Sequence, residues 1–140
     1  MMIIIFSFSN QPADISSGSS DLIVDFLLQF KLFAKIFLTH DTLAFVVRKL
    51  AHFTIYFLLG LNSFLLFYHA NDERNWHYES KIILLISLVF CLLYAISDEF
   101  HQSFIVGRGP SSRDVMIDAC GFGIANLLLF KFKRNNFSKK

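Results

Sequence analysis

Six ionisable side chains lie in one stretch of the chain, residues 97–118, between two strongly apolar segments. They are Asp98, Glu99, Arg108, Arg113, Asp114 and Asp118. Ionisable groups between apolar segments are expensive to keep there, so they usually face the interior of a helix bundle and mark a functional site. Carboxylates at such a place suit proton transfer, and the planar fork of Arg108 suits a bidentate grip on phosphate.

A second polar group opens an earlier apolar segment. Lys49, His52, Tyr56 and Gly60 follow one another at intervals of three, four and four residues. This spacing predicts one face of a helix, on which Gly60 lets a neighbouring helix approach closely. The pattern fits a reactive histidine, and it also fits a histidine and a tyrosine that only hydrogen-bond across the bundle.

The acidic residues also predict helix faces. Asp98 lies four residues and Glu99 three residues before Gln102, so one carboxylate shares a face with Gln102 while the other points elsewhere. The pair suits acid–base chemistry and equally a structural ion pair.

Asp114 and Asp118 share a face with Gly121 and Ala125. Asp114 can serve as a helix cap. Asp118 lies one turn deeper, where it needs a partner such as His52, Arg108 or a metal, or a proton.

The elements that carry these residues read as membrane helices. The chain has 140 residues and is 54% hydrophobic, with a mean hydropathy of +0.51, whereas soluble domains are about 45–50% apolar. We predict an all-α membrane protein, a small four-helix transmembrane bundle in one domain over residues 1–140.

Spans are expected at residues 51–68, 82–96 and 114–132, with breaks at 69–80 and 107–112. Residues 1–8 are too short for a span of about 20 residues, so we expect a truncated first helix whose beginning lies upstream. Residues 9–20 read as a loop, and residues 21–38 as an interfacial amphipathic helix.

The distribution of charge predicts the orientation. Basic residues near helix ends favour the cytoplasm, and five of them crowd the C-terminus: Lys131, Lys133, Arg134, Lys139 and Lys140. A cytoplasmic C-terminus places the polar groups at the outer face of the cell membrane. Arg48, Lys49, Arg108 and Arg113 run against the rule there, which indicates either a functional need for these charges or the inverted topology.

Four segments together resemble the VanZ-like membrane proteins, in order and over nearly the whole chain. They are SFSNQPADISSGSS, RKLAHFTIYFLLG, SDEFHQSFIVGRGPSSRD and DVMIDACGF. The recurring polar positions of that family fall on Gln11, Lys49, His52, Tyr56, Asp98, Glu99, Gln102, Arg108 and Asp114. Asp118 stands where the family usually has Asn. The resemblance implies a small membrane bundle and, in some relatives, reduced susceptibility to glycopeptide antibiotics such as teicoplanin.

These observations lead to a first hypothesis, an enzyme acting on a phospholipid or a polyprenyl-linked envelope precursor. Its catalytic residues would be His52, Glu99, Asp114 and Gln102. Its substrate-binding residues would be Arg108, Lys49, Tyr56, Asp98, Asp118 and Gln11. A non-catalytic protein that binds or shields an anionic lipid is the alternative, and a role in assembly is the third. No metal site, cofactor or nucleic-acid partner is assigned.

Overall fold

A computed structural model describes residues 1–10, 13–29, 39–74, 78–107, 109 and 111–137. Five helices occupy these residues: α1 (Met2–Ser9), α2 (Ala13–Leu28), α3 (His40–Glu73), α4 (Ser80–Gln102) and α5 (Ser112–Phe137). Three of them, α3, α4 and α5, are long and apolar enough to cross a membrane. The prediction of an all-α membrane bundle is therefore confirmed.

Local chemistry explains where the spanning helices begin and end. Thr39 is the N-cap of α3, and its hydroxyl accepts a hydrogen bond from the backbone N–H of Thr42 at 3.2 Å. After α4, Gly107 has a φ of +78°, which only glycine adopts at little cost. Ser111 then precedes α5, and its hydroxyl accepts from the N–H of Asp114 at 3.4 Å.

The lengths of the helices fit a bilayer. At 1.5 Å per residue, the 34 residues of α3 extend about 51 Å and the 23 residues of α4 about 35 Å, against about 30 Å of hydrocarbon. All three predicted spans are confirmed, and each helix extends beyond its predicted span at both ends. The predicted break at 69–80 is therefore too long, because residues 69–73 continue α3 and α4 already begins at Ser80. In the apolar 18-residue stretch of each of these helices, only 22–28% is buried inside the bundle. Most of this apolar surface is therefore available to lipid.

The three spans contact one another, α2 packs on α3, and α1 packs on α4. Two glycines bring α3 and α5 into backbone contact. A Cβ atom added at Gly60 would lie 2.7 Å from the carbonyl oxygen of Phe122, and one added at Gly121 would lie 2.5 Å from that of Phe53. Both distances are too short for a real Cβ, so glycine is required for this approach.

Two predictions for the N-terminal region need correction. Residues 13–20 of the predicted loop are helical, because α2 begins at Ala13, eight residues before the start predicted from Asp21. Serine costs a helix only a fraction of a kcal/mol per residue, and packing offsets this cost: Val24 is fully buried in a small core with Leu43 and Ala44. The amphipathic helix is predicted to run to residue 38. In the structure α2 ends at Leu28, and residues 30–38 lie outside the described part.

Candidate functional site

The polar side chains meet at one end of the bundle. α4 runs antiparallel to its two neighbours, so the N-terminal half of α3, the C-terminal end of α4 and the start of α5 lie together. In each helix, spacings of three and four residues put the polar side chains on one face near this end. The side chains form four sets of contacts, which we call the polar cluster: Asp98 with Tyr56, Gln102 and Ser9; His52 with Asp118; Lys49 with Asp114; and Glu99 with Ser111.

Asp98 is the centre of a buried hydrogen-bond network. The hydroxyl of Tyr56 donates to Asp98 Oδ2 at 3.1 Å, and Gln102 Nε2 donates to the same oxygen at 3.0 Å. The hydroxyl of Ser9, at the end of α1, donates to Oδ1. All four side chains are at most 5% exposed. Three donors satisfy this carboxylate, so the network joins α1, α3 and α4 and holds Asp98 in place.

His52 and Asp118 form the second contact, between α3 and α5. His52 Nδ1 lies 3.5 Å from Asp118 Oδ1, longer than an ordinary hydrogen bond but within reach of one after a small movement. The His52 side chain is 21% exposed, whereas that of Asp118 is fully buried. Within the described part of the chain, neither oxygen of Asp118 has a hydrogen-bond donor. A fully buried carboxylate beside a partly accessible imidazole can orient the ring and stabilise its charged form.

Lys49 and Glu99 each contact the start of α5. Lys49 Nζ pairs with Asp114 in the first turn of that helix. Glu99 Oε2 accepts a hydrogen bond from the backbone N–H of Ser111 at 2.8 Å. Glu99 is 4% exposed, and its other oxygen, Oε1, has no hydrogen-bond donor among the described residues.

These contacts lie close enough to influence one another. Glu99 interacts electrostatically with Asp114, Asp118 and His52, and Asp118 interacts with Asp98 and Asp114. The structure therefore brings together eight of the ten residues predicted for the site: Lys49, His52, Tyr56, Asp98, Glu99, Gln102, Asp114 and Asp118. The other two, Gln11 and Arg108, lie outside the described residues, and their roles stay predictions.

The contacts refine what each residue can do chemically. Tyr56 and Gln102 are engaged with Asp98, and Lys49 is engaged with Asp114, so these three already have partners within the protein. His52 has its second ring nitrogen, Nε2, left for a ligand within the described part. Ser9 and Ser111 are two further partners that the spacing of the polar residues did not predict. Both belong to the segments that carry the family resemblance, but nothing local indicates which carboxylate each one contacts.

A separate set of polar side chains, outside the polar cluster, lies deeper in the bundle. The hydroxyl groups of Ser63 and Ser87 are 2.8 Å apart, and Cys91 Sγ lies 3.0 Å from the Ser63 hydroxyl. Asn126 Nδ2 donates to the carbonyl of Phe122 at 2.8 Å. These four side chains are buried, and Leu59, Ala95 and Phe122 form part of the apolar core beside them. Cys91 and Cys120 are free thiols, and Cys120 is exposed on the outer surface of α5.

Among the described residues, no three His, Cys, Asp or Glu side chains are arranged to hold a metal ion. In comparison with known proteins, a family model described as VanZ/LLP1 matches residues 1–134. No curated protein matches the chain, and no solved structure matches it.

Proposed function

Because the chain belongs to the VanZ/LLP1 family, we propose that its polar cluster binds a lipid-linked phosphate head group and exchanges a proton with it. The ligand is a phospholipid or a polyprenyl-linked precursor of the cell envelope. The observation that carries this proposal is the contact between His52 and the fully buried Asp118.

The contact between His52 and Asp118 supports a role for each of them. An Nδ1–H of His52 pointing to Asp118 leaves a lone pair on Nε2, and this is the form of imidazole that accepts a proton. Asp118 stabilises the imidazolium that results. In this proposal Arg108 holds the phosphate, because its two-pronged guanidinium suits a bidentate grip on phosphate oxygens. The network around Asp98 keeps the helix ends in register beneath this site.

The orientation belongs to the same proposal. The basic C-terminus favours the cytoplasm, so the polar cluster faces the outer leaflet of the cell membrane. Envelope precursors and the drugs that bind them meet at that surface. A protein that binds or alters such a precursor changes what a glycopeptide encounters, which connects the proposal with susceptibility to teicoplanin.

A second function, binding without catalysis, is favoured by two contacts. Lys49 pairs with Asp114, and Glu99 accepts from the backbone of Ser111. The ammonium of Lys49 and the carboxylate of Glu99, which could otherwise contact a ligand, thus join helix ends instead. A binding protein of this kind would hold or shield the head group and would depend chiefly on Arg108.

The experiment is mass spectrometry of the lipids that co-purify with the full chain, together with the lipid profile of the cells that produce it. We expect wild-type protein to enrich a phosphate lipid. His52→Ala should keep that lipid bound and lose the change in the cellular profile. Asp72→Asn, at an exposed carboxylate near the other end of α3, should behave as wild type. Absence of any enriched phosphate lipid would refute the proposal. A cellular lipid profile in His52→Ala equal to that of wild type would remove the proton exchange and leave the binding function.

A further inference from the structure

Arg48 is a cation beside the polar cluster that lacks an acidic partner. It lies on α3 next to Lys49 and one turn before His52. Lys49 pairs with Asp114, and His52 lies against Asp118. By contrast, no carboxylate within the described part of the chain forms an ion pair with Arg48. The positive charge of Arg48 is therefore available for a ligand.

The Arg48 side chain is also partly buried. Its Nε atom is inaccessible to solvent and has no hydrogen-bond acceptor among the described residues. A buried donor on a charged group is costly to leave unpaired, so such a group calls for a partner. The predicted span of α3 begins only three residues later, at residue 51, which places Arg48 at the depth of lipid head groups. Both observations point to an anionic group at this depth.

His52 lies below Arg48 on the same face of α3. Side chains four residues apart on a helix are neighbours, with Cβ atoms about 6 Å apart. The Nδ1 atom of His52 faces Asp118, which leaves Nε2 for a ligand within the described part. Ala44, one turn before Arg48, is buried with Val24 of α2, so the backbone that carries Arg48 is held in place. An anion bound to Arg48 is therefore within reach of this imidazole.

We propose that Arg48 binds the phosphate of the lipid ligand beside His52, and that this phosphate is a monoester, as in phosphatidic acid or a polyprenyl phosphate. The inference rests on the proposed function, in which a phosphate lipid exchanges a proton with His52. A bidentate grip by the guanidinium uses two phosphate oxygens. Proton exchange needs a third unesterified oxygen, which a monoester has and a diester lacks. A phosphate monoester loses its second proton at about pH 6, in the range where an ordinary imidazole titrates, whereas a diester stays ionised throughout that range.

The first arm of the test uses the wild-type full chain in detergent and so does not depend on the folding of any variant. It measures how fast phenylglyoxal modifies each arginine, with the modified peptides identified by mass spectrometry. Phosphatidic acid, a lipid monoester, should slow the modification of Arg48 about tenfold when present at about ten times its dissociation constant. Arg113, an exposed arginine at the start of α5, is the control in the same sample and should react at an unchanged rate. Phosphatidylglycerol, a diester with the same acyl chains, and inorganic phosphate should protect Arg48 only at concentrations at least about tenfold higher.

Protein variants supply the second arm, in which native mass spectrometry measures the binding of phosphatidic acid. Arg48→Gln should weaken this binding at least about tenfold, because it removes a charge-assisted hydrogen bond. Arg48→Lys keeps the charge but not the planar fork, so its binding should remain at least about threefold weaker than that of wild type. Arg113→Gln removes the same charge at the same end of the bundle and should bind as wild type does.

The outcomes separate this inference from the proposed function. Modification of Arg48 at the same rate with and without bound phosphatidic acid would overturn the role of Arg48, and so would equal binding by Arg48→Gln and Arg113→Gln. Wild-type affinity of Arg48→Lys would overturn the bidentate grip, and equal binding of phosphatidylglycerol would overturn the monoester. All of these results leave the proposed function standing as long as wild type binds a phosphate lipid. Equal protection by inorganic phosphate would overturn the assignment to a lipid, and binding of neither lipid to wild type would remove the proposed function itself.

Discussion

Replacing Gly121 by alanine should push α3 and α5 apart at the level of the polar cluster. The new Cβ atom would lie 2.5 Å from the carbonyl oxygen of Phe53, and ordinary contacts begin near 3.4 Å. The two backbones therefore have to separate by about 0.9 Å, because neither contacting group is a flexible side-chain end. Overpacking of this kind costs about 1–3 kcal/mol.

The same chain supplies a matched control in Gly123, two residues further along α5. A Cβ atom added there meets nothing within 4 Å. Both substitutions gain the same benefit of about 1 kcal/mol from replacing glycine in a helix. The difference between Gly121→Ala and Gly123→Ala is therefore the overpacking cost alone. We expect Gly121→Ala to be about 1–3 kcal/mol less stable than Gly123→Ala.

The assay is reversible unfolding in mixed micelles of a mild detergent and sodium dodecyl sulfate, followed by circular dichroism. A functional readout accompanies it, because Gly121 lies three residues from Asp118, and Phe53 adjoins His52. Their separation of 3.5 Å should widen in Gly121→Ala. A displacement of about 1 Å at a reacting pair can cost about a hundredfold in rate. Equal free energies of unfolding for the two variants would show that α3 and α5 do not make this backbone contact.

Three further predictions concern Tyr56, the pair Arg108 and His52, and the C-terminus. Tyr56→Phe should lower the free energy of unfolding by about 1–3 kcal/mol, because it removes a donor from the buried carboxylate of Asp98. The same micelle titration measures this. An unchanged free energy of unfolding would show that the Tyr56–Asp98 hydrogen bond does not stabilise the fold. Arg108→Lys and His52→Gln should both impair a susceptibility or lipid-profile phenotype normalised to protein level, since lysine cannot grip phosphate in a bidentate manner and glutamine cannot titrate; full activity of both at normal abundance would end the catalytic proposal. A C-terminal fluorescent-protein fusion should be bright and an alkaline phosphatase fusion silent, as expected of a cytoplasmic C-terminus; the reverse pattern would invert the topology.

The positions of the spans and of the break before α5 follow from the sequence alone. Apolar length identifies a membrane helix because each spanning residue is surrounded by hydrocarbon whatever its neighbours are. The combination of Gly107, Gly109 and Pro110 interrupts a helix for reasons of backbone geometry that are also local. The spacing of Asp114, Asp118 and Gly121 predicted a shared face for the same reason, since helical periodicity is a property of one segment.

Packing overrode local preference at the N-terminus. The serine-rich residues before Asp21 have the composition of a loop, but α2 already includes them from Ala13. Single-residue helix preferences differ by only fractions of a kcal/mol, so burial of Val24 against α3 outweighs them. Sequence composition cannot anticipate this, because the residues that bury Val24 lie some twenty positions further along the chain.

Only the tertiary structure decided which polar residue meets which. The sequence placed His52 and Asp118 each on a helix face, but it left Arg108, a metal or a proton open as the partner of Asp118. The close approach at Gly60 and Gly121 sets the register between α3 and α5, and that register brings Asp118 to His52. Which residues of two helices meet depends on the relative translation and rotation of the helices. The periodicity of either helix by itself does not determine these.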